Sequence, residues 1–212
     1  MSVTARIAAA VVEGDETLTR RLIGEALTAQ ISAQQVLREG LLAGMDRVGR
    51  LFRDGEYFLP EVLVAADAMK AGMELLRPGL LAENVRPEAT AVVGTVAGDL
   101  HDIGKNLVAT MLQGAGFEVV DLGVDVSAEK FVAACRERPV HIVGLSALLT
   151  TTMPEMEVVV RAVRGALGPA PKIIIGGAPV TEKYAAKIGA DGYGPDAATG
   201  AEVAKKLVLR HP

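Results

Sequence analysis

Apolar residues between Leu37 and Leu76 recur every third or fourth position, first as Leu37, Leu41, Met45, Val48 and Phe52, then as Leu59, Val62, Ala66, Met69, Met73 and Leu76. That spacing lays one apolar stripe along each of two helices and predicts that they pack in a small bundle. Asp54-Gly55-Glu56-Tyr57 breaks the pattern between them. Arg77-Pro78-Gly79 is expected to end the second helix, because proline cannot donate the next helical hydrogen bond. The first eighty residues therefore read as all helical. Beyond Pro87 the pattern changes. Strand-like and helix-like segments alternate over 90–97, 103–115, 117–122, 127–137, 140–147, 154–167, 171–176, 181–188, 190–193 and 196–210. Five βα units of this kind predict an α/β fold, a five-stranded parallel sheet in the flavodoxin-like order 2-1-3-4-5 with helices on both faces. The expected organisation is an all-α helical-bundle domain over 1–80, a linker over 81–88 and a Rossmann-like domain over 89–212.

Composition narrows the function classes. Half of the 212 residues are apolar, enough for one sizeable core or two modest ones, while aromatics make up only 3% and Trp is absent. A net charge of −4 and a pI near 5.5 leave no basic footprint for nucleic acid. The longest apolar runs are too short or too interrupted for a membrane span, and the N-terminus has no signal-peptide pattern. The single Cys135 cannot form an internal disulfide, and its place among Ala and Val reads as a buried small residue. A reducing, cytoplasmic setting is expected.

The chemistry concentrates in Gly98-Asp99-Leu100-His101-Asp102-Ile103-Gly104, between the β-branched run Ala91–Ala97 and a helix. A buried parallel strand delivers His101, one of three histidines, to the carboxyl end of the sheet, where open α/β sheets bind ligands. Asp99 can accept the proton of one ring nitrogen and leave the other free to coordinate a metal. Asp99 also reads as an ordinary helix cap, and Asp102 is expected to cap the helix at Ile103. Gly98 and Gly104 let the turn close tightly or let a large cofactor approach the backbone. The order 2-1-3-4-5 opens a crevice between the loops after the first and third strands, so His101 and the stretch Ser146 to Thr152 should face one cleft. His141 at a strand opening and His211 at the terminus carry no assigned role, and Thr151 reads as turn chemistry. A P-loop fails on spacing, since five residues separate Gly98 from Gly104 and Lys105 is followed by Asn106. No dinucleotide fingerprint follows the first strand.

Asp99-x-His101-x-x-Gly104 resembles the Asp-x-His-x-x-Gly signature of cobalamin-binding domains. The likeness extends from Val96 to Val108, through Gly144–Thr150 and Ile175–Ala178, and is similar in order and spacing to the cobalamin module of methionine synthase and to the small corrinoid proteins of methyltransferase systems. It implies a cobalamin or related corrinoid whose nucleotide tail lies beside the sheet while His101 ligates cobalt, linked to Asp99. Ser146 matches the position that hydrogen-bonds the detached base, and Thr150 matches another tail contact. Thr152 stands where a Ser linked to the Asp is common, and Gly176 and Gly177 admit the nucleotide to the backbone. The stretch from Val48 to Glu61 resembles the methionine synthase cap and makes Phe52 and Leu59 the candidates for covering the methyl face, with Phe58 in the bundle core.

The activity this implies is that of a carrier subunit, not a catalyst alone. A methyl group moves on cobalt from a substrate-specific methyltransferase to a second methyltransferase acting on a thiol or pterin acceptor, and a reductive activase is a further partner. The 80–87 stretch would serve as the hinge. Two other readings stay open: a metal-dependent hydrolase or other His/Asp metal site, which needs further ligands, and a light- or cofactor-sensing cobalamin regulator, which would carry a DNA-binding domain and typically a Trp in the cap. The methyl donor, whether methylamine, methanol, methoxylated aromatic or quaternary amine, is not encoded in these motifs.

Overall fold

The structure is a computed structural model that describes residues 1–209, so His211 lies outside the described residues. The chain forms two compact units, Met1–Pro87 and Glu88–Pro212.

The first unit is helical. α1 (Val3–Glu13) starts at Ser2, whose hydroxyl accepts from the Ala5 amide, and ends at Gly14 in the left-handed conformation. α2 (Glu16–Thr28) is capped by Asp15, whose carboxylate accepts from Leu18 at 2.8 Å. α3 (Ala33–Val36) runs through a π turn, Leu37–Leu42, into α4 (Ala43–Arg53). The extra residue of a π turn shifts the helical phase, and here Val36, Leu41, Met45 and Val48 all stay buried on either side of it. Gly40 and Gly44 let this helix press on α1, for an added Cβ would lie 2.9 Å from Ile7 and 2.8 Å from Val11.

α5 (Leu59–Ala82) does not stop at Arg77-Pro78-Gly79, which corrects the expected helix end. Tertiary packing outweighs the proline penalty: Leu76 and Leu80 are buried on either side of Pro78, and a Cβ on Gly79 would lie 2.9 Å from that of Ala33. Just past the helix, the Glu83 carboxylate accepts from the Ala33 and Gln34 amides at 2.8 and 2.9 Å, capping α3 from afar. Phe58 is 66% exposed and is not bundle core. It stands at the N-cap of α5, where its own amide donates to Glu61 and its ring leaves the packed face.

The second unit alternates β1 (Ala89–Thr95), α6 (Ile103–Gly114), β2 (Phe117–Asp121), α7 (Ala128–Glu137), β3 (Ile142–Ser146), α8 (Met153–Leu167), β4 (Lys172–Gly176), α9 (Glu182–Ile188), β5 (Gly192–Gly194) and α10 (Ala197–Leu209). All pairings are parallel and the strand order is 2-1-3-4-5, as the alternation predicts. Fully buried Val92, Val143 and Ile173 pack with Phe131 and Met156, and Gly94 makes room for the Phe131 ring. Helices α6 and α10 pack together, as do α7 and α8. Register aligns Thr95, Ser146, Gly176 and Gly194 in one row across four strands, so the loops that follow leave from a common edge. No described helix is long and apolar enough to cross a membrane.

Candidate functional site

The loop from β1 to α6 turns at Gly98, whose φ of 77° is open to glycine at little cost. It then buries Asp99 completely. One carboxylate oxygen, Oδ1, accepts from the His101 amide at 3.1 Å and lies 2.7 Å from His101 Nδ1. The other, Oδ2, accepts from Thr152 Oγ1 at 2.7 Å and from the amides of Leu148 and Leu149 at 2.8 and 3.3 Å. Burial pushes the Asp99 carboxyl up, but the hydrogen bonds from Thr152, His101 and Leu148 outweigh it and hold the group well below the usual carboxylate range. A fixed negative charge thus sits behind His101. The imidazole is about half exposed with Nδ1 turned to Asp99, and the His101 backbone carbonyl accepts from buried Thr95 Oγ1 at 2.8 Å.

Asp99 is therefore not the cap of α6. Nor does Asp102 cap that helix through its side chain, contrary to expectation: its carboxylate accepts from the Asn106 side chain at 3.2 Å, four residues on. The side-chain amide one turn up draws the carboxylate along the helix and away from the free backbone amides.

A cavity of about 590 Å³ opens beside His101 along the aligned strand ends. His101, Gly104, Ser146, Gly176 and Gly177 all line it. Gly177 has φ 135°, and a Cβ there would lie 1.9 Å from the Ala147 carbonyl oxygen; one at Gly176 would lie 2.9 Å from that of Gly194. Gly104 is different, since an added Cβ meets nothing within 4 Å. The protein's own packing therefore does not require its bareness. Thr152 does not line the cavity but bonds Asp99, and Thr150 stands on an exposed turn that does not line it either. Phe52 and Leu59 belong to the helical unit, each half-buried, on α4 and at the start of α5.

The cavity reaches further than the crevice expected between the first and third loops. Gly194, Ala197 and Gly200, at the junction of β5 and α10, extend it across the sheet. Their signal in the sequence was only a spacing of small residues. Thr95, Lys105 and Asp125 were also missed: Thr95 reads as one more β-branched strand residue, Lys105 as a solvated charge, and Asp125 as turn chemistry. Lys105 is in fact buried, its ammonium on Asp121 and Asn106.

Among the described residues no group of three or more His, Cys, Asp or Glu side chains is placed to hold a metal ion. One imidazole alone supplies too few donors to retain a bare ion.

Two B12 binding domain families match the chain, one over residues 89–202 and one over residues 3–77. The sequence is 44% identical to trimethylamine corrinoid protein 2 of Methanosarcina acetivorans over 88% of each chain. Among solved structures it resembles a cobalamin-binding protein from Desulfitobacterium hafniense, with a TM-score of 0.82 and 34% identity over 98% of both chains. It is also similar to a chain of the methanol:cobalamin methyltransferase complex of Methanosarcina barkeri, with a TM-score of 0.82 and 32% identity over 98% of this chain and 80% of that one.

Proposed function

Because the chain belongs to the B12-binding corrinoid proteins of methyltransferase systems, with a corrinoid as its cofactor, we propose that it carries a methyl group on that cofactor between two methyltransferases and that His101 would hold the cobalt. The observation that carries this reading is the half-exposed imidazole held by buried Asp99 beside a cavity lined by glycines and aliphatic side chains. The residues fit the group. Leu100 and Ile103, 72% and 70% exposed, flank His101 with Leu148 and Leu149, an apolar surface suited to the face of a macrocycle. Gly104, Gly176 and Gly177 leave the cavity beside them open to the nucleotide tail, with Ser146 as its polar contact.

When bound, the corrinoid supplies a cobalt centre that accepts and releases the methyl group. The protein's residues set the conditions for that exchange. His101 presents Nε2, and the proton on Nδ1 is shared with Asp99, so the carboxylate strengthens the imidazole as a donor. Thr152 and the Leu148 amide keep Asp99 ionised and fixed. Phe52 and Leu59 of the helical unit would supply apolar cover that excludes water from the bound methyl group. The donor arrives on a substrate-specific methyltransferase; a methylated amine or methanol agrees with the names of the relatives above. The acceptor is a thiol or pterin on a second methyltransferase, and a reductive activase restores the carrier after oxidation. The absence of a three-donor cluster among the described residues disfavours a hydrolytic metal centre.

Electron paramagnetic resonance tests the ligand. In cobalt(II) the unpaired electron points along the axial bond and couples to the nitrogen there. Protein labelled with nitrogen-15 and loaded with unlabelled cobalamin should give two-line splittings, and His101→Ala should abolish them. Three-line splittings in labelled protein would mean that the cofactor's own base keeps the lower position, and the reading would fail.

A further inference from the structure

We propose that Asp125, in the loop between β2 and α7, is a positioning residue for the axial imidazole, an inference that rests on His101 being the ligand. Asp125 is exposed and sits at φ 52°, a left-handed conformation uncommon outside glycine but tolerated by Asp and Asn. Burial in a core does not explain why the chain holds it so. Its contacts do: the Asp125 amide donates to the Asp99 carbonyl at 3.0 Å, while its carboxylate Oδ1 accepts from the Gly98 amide at 2.7 Å. The left-handed turn aims both groups at one stretch of backbone, so a single residue grips both sides of the turn that delivers Asp99.

The gripping loop is itself anchored. Leu122 donates to the Val93 carbonyl at 2.8 Å, Thr95 to that of Gly123 at 3.0 Å, and Val126 to that of Thr95 at 2.9 Å. Val126 is fully buried and bridges to Val96. At the far end of the ligand loop, Asp121 pairs with buried Lys105 in the first turn of α6. The end of β2 and the loop after it therefore hold the ligand loop at its entry and the first turn of α6 at its exit. Asp99 is held from two sides as a result. The β3–α8 loop fixes its carboxylate through Thr152, Leu148 and Leu149, and Asp125 fixes its backbone. The direction of His101 Nε2 depends on both, because the ring is oriented by Asp99. Outer partners of this kind govern ligand geometry at metal sites, and their loss costs about 10–100-fold in affinity.

Three substitutions separate the possibilities. Asp125→Ala removes the acceptor and strains the turn; Asp125→Gly removes the acceptor and relaxes it; Asp125→Asn keeps an acceptor oxygen and tolerates the same φ. Cobalamin binding is followed by absorbance titration, ligation by cobalt(II) resonance in nitrogen-15-labelled protein, and folding by the thermal midpoint. The Ala and Gly variants should bind about tenfold more weakly and show mixed two-line and three-line splittings, with Asn restoring both readouts. Wild-type affinity and a full two-line spectrum in the Gly variant would overturn the proposal. So would equal losses in all three variants together with lowered midpoints, which would make Asp125 a folding residue. Three-line splittings in the wild-type protein would instead overturn the His101 assignment itself.

Discussion

A methyl group added at Gly104 meets open cavity, whereas one added at Gly177 meets the Ala147 carbonyl oxygen at 1.9 Å. The two glycines should therefore separate binding from folding. Gly104→Ala lies in the first turn of α6 and gains helix propensity, so stability should stay level or rise by up to about 1 kcal/mol while corrinoid affinity falls. Gly177→Ala should lose about 1–3 kcal/mol from its φ of 135° alone. Thermal unfolding beside absorbance titration measures both. Asp99 makes a pH-dependent contribution. Its folded pKa is depressed below the unfolded value of about 3.9, so the ionised carboxylate stabilises the fold fully above that pH and loses the contribution as pH falls below it. Asp99→Asn should cost about 1–3 kcal/mol at pH 7, with the gap to wild type narrowing as the pH falls below the ordinary carboxylate range. Amide exchange in β1 and β3 reads this directly. An unchanged gap would mean that the charge on Asp99 does not stabilise the loop. Cys135 is pushed up to about 11 by burial, so it should resist alkylation at pH 8 until the protein unfolds.

At the scale of elements, the sheet was legible because parallel strands buried on both faces announce themselves as β-branched runs bounded by loops. The ends of β1 to β5 fall within a few residues of the periodic segments, and the crossing order follows from five repeated βα units. What stayed hidden was set by partners distant in sequence. Pro78 reads locally as a stop, yet Leu76, Leu80 and the Gly79 approach to Ala33 hold α5 together through it. The π turn at Leu37–Leu42 has no local signature, and the close approach of Gly40 to Ile7 and of Gly44 to Val11 is set by α1, distant in sequence. In the site, Asp99 and His101 stood out as a pair in sequence, while Asp125 and Thr95 gained meaning only once β2 lay beside β1. Pro78→Ala offers a test of tertiary override. If packing alone keeps the helix intact, restoring the missing amide should stabilise the helical unit by about 1–3 kcal/mol. A loss of stability would show that the proline serves the packing after all.

Across the whole molecule, the Asp99–His101 pair and the cavity lie in the sheet unit, while the proposed cover residues belong to the helical unit. The proposed roles would give the carrier two separable duties, holding the cofactor and shielding it, and the second would have to yield when a methyltransferase approaches. Separability can be measured. Replacing Phe52 and Leu59 together with Ala should leave cobalamin affinity within about twofold, a difference under about 0.4 kcal/mol, because the proposed contacts to the nucleotide tail are all residues of the sheet unit. The same variant should photolyse and oxidise its methylated cofactor faster, since apolar cover is what keeps water and oxygen from that face. Gly104→Ala should do the reverse, weakening affinity while the rate of photolysis per bound cofactor stays at the wild-type value. Crossed outcomes of this kind require two physical sites of action. If the Phe52 and Leu59 substitutions instead lower the thermal midpoint and leave photolysis unchanged, both side chains are packing residues of the bundle, and the cover must be sought on other residues of the helical unit, beginning with exposed Phe58 at the start of α5.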